Sequence, residues 1–282
     1  MLELAVQNDI KLTDAQYQLV SDTVYRHCGI KLHQGKKELV QSRLAKLVRK
    51  HKASSYAEYL DTVMSDLNGP GFSEFINSLT TNLTMFFRES HHFEYLSKEL
   101  IPNLMQSKMK RRDYKIRGWS AGCSSGEESY SLAMSLHDVV DDFDKWNVKL
   151  LATDISSSIL EKAKMGIYDK DKTASIPPGF RTRYIQHVTN DPSKAVVSDL
   201  LKNMISFRYL NLIQKWPFRG PFDFIFCRNV MIYFDKRTQE ELVDKFWQVL
   251  APGGILFTGH SESLTGIRHH FKYLRPTIYQ KV

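Results

Sequence analysis

Cysteine is scarce in this chain. Its 282 residues hold three, Cys28, Cys123 and Cys227, and no two of them stand in a CxxC spacing. An odd, scattered set excludes a disulfide framework and the common zinc spacings, and points to reduced thiols and a cytoplasmic location. Long hydrophobic runs are missing as well: none approaches the ~18 apolar residues of a membrane span. The N-terminus, MLELAVQNDIK, lacks a basic segment followed by an apolar one, so neither a secretory signal nor direct membrane insertion is expected. Internal repeats and low-complexity tracts are absent. What is present is 42% apolar and 12% aromatic residues, enough for a packed core, at a length that suits one or two domains.

The formal net charge is +8, and it is uneven. Residues 1–80 carry 10 basic and 9 acidic side chains, while residues 81–282 carry 29 and 22. The excess in the second part favours an acidic partner or anionic ligand without choosing among nucleic acid, membrane surface and protein.

Residues 1–80 read as helices only. Thr13-Asp14-Ala15-Gln16 fits a capping box, after which Tyr17, Val20, Val24 and Cys28 recur at helical spacing up to Gly29. A second stripe is Val40, Leu44, Leu47 and Val48. A third, opened by a capping box from Ser55 to Glu58, is Leu60, Val63, Met64 and Leu67. A fourth, beyond the breaker Asn68-Gly69-Pro70-Gly71, is Phe72, Phe75, Ile76 and Leu79. Four short amphipathic helices predict a small bundle, with a linker over 81–114.

From residue 115 the pattern changes. Strand-length apolar runs at Tyr114–Trp119, Val148–Thr153, Met204–Tyr209, Phe222–Cys227 and Ile255–Thr258 alternate with helical patterns at Glu128–Val140, Ser157–Met165 and Thr238–Leu250. This predicts an α/β domain over 115–282, a doubly wound and mainly parallel sheet. The tail, Phe271–Val282, suggests a last strand at the edge. Residues 176–203, with poor helical periodicity and two adjacent prolines, read as a small inserted β-subdomain.

Three segments carry chemistry. Trp119-Ser120-Ala121-Gly122-Cys123-Ser124-Ser125-Gly126-Glu127-Glu128-Ser129 follows the first strand and opens a helix. Its small residues would let a ligand reach the backbone, and its two glutamates suit a cation better than a pyrophosphate. Equally, it reads as an ordinary tight turn. Asp154 ends the second strand, where a nucleoside-binding fold grips ribose hydroxyls. It also reads as the N-cap of the next helix. Ala251-Pro252-Gly253-Gly254 turns from a helix into the buried strand ILFTGH.

The order of these elements resembles the class I S-adenosylmethionine-dependent methyltransferases. A sharper resemblance lies in Asn82-Leu83-Thr84-Met85-Phe86-Phe87-Arg88-Glu89, the SAGCSSGEES turn, Asn211-Leu212, and Cys227-Arg228-Asn229-Val230-Met231-Ile232-Tyr233-Phe234. In that order and approximate spacing they resemble the chemotaxis receptor methyltransferases, and the N-terminal helices fit too. Ser129 departs from the proline usual there. Sitting early in a helix, it is expected to cost little.

The resemblance implies S-adenosylmethionine as cofactor, S-adenosylhomocysteine as product and glutamate side chains of membrane chemoreceptors as acceptors. It places Asp154 on the ribose. Asn82, Thr84 and Arg88 would lie over the methionine end, with Gly122 in the turn and Asn211 and Leu212 beside the adenine. Glu128, or else Glu127, would face the ammonium. Arg228, Asn229 and Tyr233 would complete the cleft, with Arg88 and Tyr233 as the catalytic pair. The implied partners are acidic cytoplasmic receptor helices, facing the 1–80 domain, with Arg43, Lys46 and Lys50 on one helix face as a candidate docking surface. In some relatives the inserted strands also dock a receptor tether peptide.

No metal is expected. The pairs His91-His92 and His269-His270 read as surface or boundary residues, and Lys108-Met109-Lys110-Arg111-Arg112 as an exposed run. Two other readings remain open, a nucleic-acid methyltransferase and a non-catalytic cofactor-binding module. Against the first, the chain has no aromatic-basic strand and no base-flipping motif. The second would not need Arg88 and Tyr233.

Overall fold

The computed structural model describes residues 11–67, 69–80, 82–140 and 142–282. Two compact units emerge: residues 1–81 with Tyr233–Asp235, and residues 82–232 with 236–282.

The smaller unit contains helices α1 (Asp14–Cys28), α2 (Lys37–Lys50), α3 (Tyr56–Ser65) and α4 (Pro70–Leu79). Most of the residues in the four stripes are buried, Phe75 and Leu44 completely, which is what an amphipathic helix of this period requires. The capping box of α1 forms as the spacing predicts. Thr13 Oγ1 accepts from the Gln16 N–H at 3.2 Å, and Gln16 Oε1 accepts from the Thr13 N–H at 3.0 Å. At α3 the box is only half made: Ser55 caps the Glu58 N–H, but the Glu58 carboxylate turns to the N–H of Ser54. The proposed basic face changes character. Arg43 is half-buried and donates to the carbonyls of Leu79 and Thr80 at 2.7 and 3.1 Å, closing the C-terminus of α4. Lys50 pairs with Glu74 at 2.6 Å. Helix-end carbonyls and a neighbouring carboxylate thus already engage two of the three cations.

The larger unit opens with α5 (Ser90–Tyr95) and α6 (Ile101–Lys110), joined by a wider π turn over Leu96–Leu100 in which the Ile101 N–H reaches the Leu96 carbonyl. Pro102 supplies the reason: it cannot donate to residue 98, and its ring would strike that carbonyl. There follow β1 (Lys115–Ala121), α7 (Glu127–Val139), β2 (Asn147–Asp154), α8 (Ser157–Met165), β3 (Ile167–Asp169), α9 (Pro178–Tyr184), β4 (Ile185–Val188), β5 (Asp191–Val197), α10 (Asp199–Lys202), β6 (Ile205–Tyr209), β7 (Phe222–Cys227), α11 (Lys236–Val249), β8 (Leu250–Thr258), β9 (Lys272–Arg275) and β10 (Ile278–Gln280).

The main sheet runs β6-β2-β1-β7-β8-β10-β9. The first five strands are parallel, and β10 joins β8 antiparallel. A small antiparallel sheet, β3-β5-β4, takes its first strand from residues 167–169, ahead of the 176–203 stretch. The tail makes two strands rather than one, because Pro276-Thr277, with Thr277 at φ 63°, turns it back on itself.

All six residues of β7 are buried, as a central parallel strand covered on both faces demands. Its one charge, Asp223, is held by Lys108 Nζ at 2.7 Å and the Arg117 N–H at 2.8 Å. Lys108 is therefore not part of an exposed run. It is drawn inward because a buried carboxylate needs a partner. No described helix is long and apolar enough to cross a membrane.

Candidate cofactor-binding and active site

Because β1, β2, β6, β7 and β8 are parallel neighbours, their carboxyl ends lie along one edge of the sheet. The chain order reverses between β1 and β7, and such a switch point is where open α/β sheets bind ligands. Of the expected site residues, Asn82, Thr84, Arg88, Gly122, Glu128, Asp154, Asn211, Leu212, Arg228 and Asn229 belong to this unit.

The turn after β1 is pinned to β2, since the N–H groups of Gly122 and Cys123 both donate to the Thr153 carbonyl. Gly122 has φ +82°, and a Cβ there would lie 2.3 Å from Val230 Cγ2, so both backbone and space require glycine. Asp154 is buried. Its Oδ2 accepts from the Ser124 N–H at 2.8 Å and its Oδ1 from the Ser156 N–H at 2.9 Å. The N-cap of α8 is Ser156, not Asp154. Burial pushes the Asp154 pKa up, and the N–H groups of Ser156, Ser124 and Ile155 pull it back. Three N–H donors on about four lone-pair sites leave one free for a further donor. The Leu210 N–H donates to the Asp154 carbonyl, which seats Asn211 and Leu212, both buried, beside the end of β2. Lys245 holds that loop by donating to the carbonyls of Leu212, Ile213 and Gln214.

Segment 82–89 is anchored over the turn. The Asn82 carbonyl accepts from Ser124 Oγ at 3.0 Å, and the Phe87 N–H donates to Ser131 Oγ at 3.0 Å. Phe86 is fully buried edge-on against Tyr168. Phe87 and Glu89 adopt left-handed backbone, φ 53° and 57°, a conformation non-glycine residues hold only when their surroundings impose it. Thr84 and Arg88 are half-buried.

At the switch point stands Arg228, its side chain 1% exposed, with Nη1 3.4 Å from Glu128 Oε2 and Nη2 3.5 Å from Glu89 Oε2. Nη2 also donates to the Arg88 carbonyl, and the guanidinium faces the rings of Phe93 and Phe226. Glu128 Oε1 accepts from Ser120 Oγ at 2.7 Å. Burial raises the Glu128 pKa, with Arg228 opposing. Two carboxylates thus meet one guanidinium. Arg228 Nε and Nη1 and Glu89 Oε2 have no hydrogen-bond partner among the described residues. Unsatisfied buried groups around an excess carboxylate suit an amino-acid zwitterion, whose ammonium and carboxylate would complete them. Glu127 is buried too: its Oε2 accepts from Ser125 Oγ at 2.6 Å, while its Oε1 has no hydrogen-bond partner among the described residues.

Tyr233 belongs to the helical unit, where its carbonyl accepts from the Lys31 N–H at 2.8 Å. Sequence reasoning passed over two carboxylates, Glu89 and Glu262. Glu89 adjoins Arg88 in its motif, and Glu262 lies four residues beyond the end of a buried strand. A carboxylate shortly after the carboxyl end of a buried strand is the available signal, akin to Asp154 at the end of β2. Ser129 proves dearer than expected: its hydroxyl is fully buried without a hydrogen-bond partner among the described residues, a loss of about 1 kcal/mol or more.

His92 is not a surface residue. It is 0% exposed, and its Nε2 lies 2.6 Å from Thr277 Oγ1. The Thr277 hydroxyl in turn donates to the Pro276 carbonyl, and His92 Nδ1 lies 3.5 Å from Glu89 Oε2. Burial pushes its pKa down to about 2, with Arg228 adding repulsion. A depressed pKa means that only the unfolded chain takes up the proton below pH 6.5, so stability falls as pH falls from there toward 2. The buried carboxylates with raised pKa act in the opposite sense, and the difference from His92→Gln isolates the histidine. Between pH 7 and 5 the wild type should lose about 2 kcal/mol more than the variant in urea unfolding. Parallel pH dependences would contradict it.

The chain matches two family descriptions: CheR methyltransferase, all-alpha domain, over residues 15–80, and CheR methyltransferase, SAM binding domain, over residues 82–280. It is 38% identical over 275 residues to a chemotaxis protein methyltransferase of Borreliella burgdorferi, covering 97% of this chain and 96% of that one. To a probable chemotaxis protein methyltransferase of Rhizobium etli it is 39% identical over 259 residues, covering 91% and 96%. To the chemotaxis protein methyltransferase of Escherichia coli it is 38% identical over 281 residues, covering 99% and 94%.

Proposed function

We propose, since this chain belongs to the CheR methyltransferase family, that the edge formed by the carboxyl ends of its parallel strands is where it carries out the family's reaction. The enzyme is an S-adenosylmethionine-dependent protein-glutamate methyltransferase that forms methyl esters on chemotaxis receptors. The observation that supports this site most directly is the buried cluster of Arg228, Glu128 and Glu89, whose unsatisfied polar atoms match the zwitterionic end of the cofactor.

Asp154 would take the ribose hydroxyls, Asn211 and Leu212 the adenine, and Glu128 the ammonium. Arg88 and Arg228 would meet the carboxylate, with Asn82, Thr84, Gly122 and Asn229 shaping the remaining walls. When bound, the cofactor supplies a methyl group on a sulfonium, a good leaving group. The acceptor glutamate, with a reference pKa near 4.3, is already an ionised nucleophile at neutral pH, so no strong base is needed. The protein's own task is positioning and exclusion of water. In that task Arg88 is assigned to the reacting groups. The domain boundaries proposed are 1–80, 81–114 and 115–282, the segment from 82 grouping with the larger unit and the β-subdomain reaching back from 176–203 to β3 at 167. The partners are acidic helices of membrane chemoreceptors, met in the cytoplasm. The outer strands β3 and β4 each pair with β5 alone among the described strands, leaving an edge to which a tether peptide could add.

The test is the chemistry of the product. Incubation of radiolabelled cofactor with receptor-bearing membranes should label the receptor, and mild base should release the label as volatile methanol, because an ester hydrolyses where an N-methyl group does not. Arg88→Ala should lose most of that label. Base-stable label on nucleic acid would support a nucleic-acid methyltransferase instead. Cofactor binding with no labelled acceptor would support a non-catalytic module.

A further inference from the structure

Beyond β8 the chain turns at Gly259 and brings back Glu262, a carboxylate only 5% exposed. Its Oε1 accepts from the N–H groups of Val230 and Ile232 at 2.8 and 3.2 Å, and its Oε2 from those of Asn229 and Gly259, both at 2.6 Å. An ionised carboxylate has about four lone-pair sites, and these donors fill them. The carboxylate approaches so closely because residue 259 is glycine: a Cβ there would lie 2.6 Å from Glu262 Oε2 and 2.7 Å from the Asn229 nitrogen. Glu262 is itself fixed, since its carbonyl accepts from Thr258 Oγ1 at 2.7 Å and its N–H donates to the Gly259 carbonyl at 2.8 Å.

What Glu262 holds is the segment after β7 that follows Arg228. Within it Asn229 has left-handed backbone, φ 59°. The arrangement parallels Asp154 on the other side of the switch point. Asp154 ties the turn after β1 to the end of β2, and Glu262 ties the segment after β7 to the end of β8. A buried carboxylate whose lone pairs are taken up by four backbone donors acts by geometry, and the geometry here belongs to the wall of the cleft that Asn229 and its neighbours form in the family reading.

We infer that Glu262 is a positioning residue for methyl transfer, acting through the backbone of residues 229–232; this rests on the function proposed above. Glu262→Gln keeps size and shape but turns an amide NH2 toward two N–H donors, while Glu262→Asp keeps the charge on a shorter arm. In Glu262→Gln, affinity for S-adenosylhomocysteine by calorimetry should fall by no more than about tenfold, because Asn229 and Val230 shift beside the turn while the hydrogen bonds of Asp154 stay in place. Turnover at saturating cofactor and receptor should fall by about 30-fold or more, the scale of a misplaced reacting group, with receptor KM changed less than about threefold. Glu262→Asp should recover part of that turnover. Amide exchange should quicken in peptides covering 228–233 and 258–262 but not in 122–127. Turnover within about threefold of wild type, or turnover and cofactor affinity falling together with the folded fraction, would overturn the inference. If the wild type leaves no base-labile label on receptors, the proposed function fails by itself. The exchange comparison still decides on Glu262, since unchanged exchange at 228–233 overturns its role.

Discussion

Replacing Arg228 with methionine is expected to cost the larger unit about 3 kcal/mol of stability at pH 7. The guanidinium is the only cation within salt-bridge distance of either Glu128 or Glu89 among the described residues. Removing one member of a buried ion cluster typically costs 3–5 kcal/mol, because the charges left behind have lost both water and partner. The 3.4 and 3.5 Å separations are longer than good charge-assisted bonds, which places the figure at the lower end. The sign of the pH dependence follows from Glu128, whose pKa burial already raises. Without Arg228 it rises further, so the variant is least impaired in acid and loses stability as pH climbs through the folded pKa. All four tryptophans, Trp119, Trp146, Trp216 and Trp247, lie in this unit, so their fluorescence in urea reports on it alone. Adding Glu128→Gln should restore part of the loss. A cost below about 1 kcal/mol, or no recovery in the double variant, would refute the account.

Asp154→Ala should weaken cofactor binding by about 100-fold. Hydrogen bonds to a charged group are worth about 1.5–3 kcal/mol, where 1.4 kcal/mol is tenfold in affinity. The upper end applies because alanine also strips the N–H groups of Ser124 and Ser156 of their acceptor. The turn would then lose its shape along with its ligand contact. Asp154→Asn keeps one acceptor oxygen and should lie near tenfold. Calorimetry with S-adenosylhomocysteine measures both, and affinity within threefold of wild type in a folded alanine variant would remove Asp154 from the ribose.

Legibility of the fold follows the range of the forces involved. The segment Phe222–Cys227 reads as a buried strand and is one, because its apolar continuity and its backbone geometry are the same local fact. The four helical stripes are local in the same sense. Strand β8 starts at Leu250, earlier than ILFTGH suggests, since Leu250 pairs with Phe222 ahead of the glycine turn. That pairing lies 28 residues away and leaves no periodic trace. The burial of His92 is hidden from the sequence for a related reason. A histidine pair carries no signal of burial, and only the packing of Phe226 and Phe257 around it excludes water.

The candidate site divides along the same line. Residue identities in the motifs, and their places at strand ends, could be read from the chain because a turn or cap involves neighbours in sequence. Which charges meet could not. Arg228 reaches Glu128 across 100 residues, Glu262 reaches back about 30 to Asn229 and Val230, and Lys108 finds Asp223 across 115. Arg43, expected to face a receptor, closes the end of α4. A charge in sequence is equally suited to water or to a buried partner. The choice is made by desolvation, and desolvation depends on which strands and helices pack together.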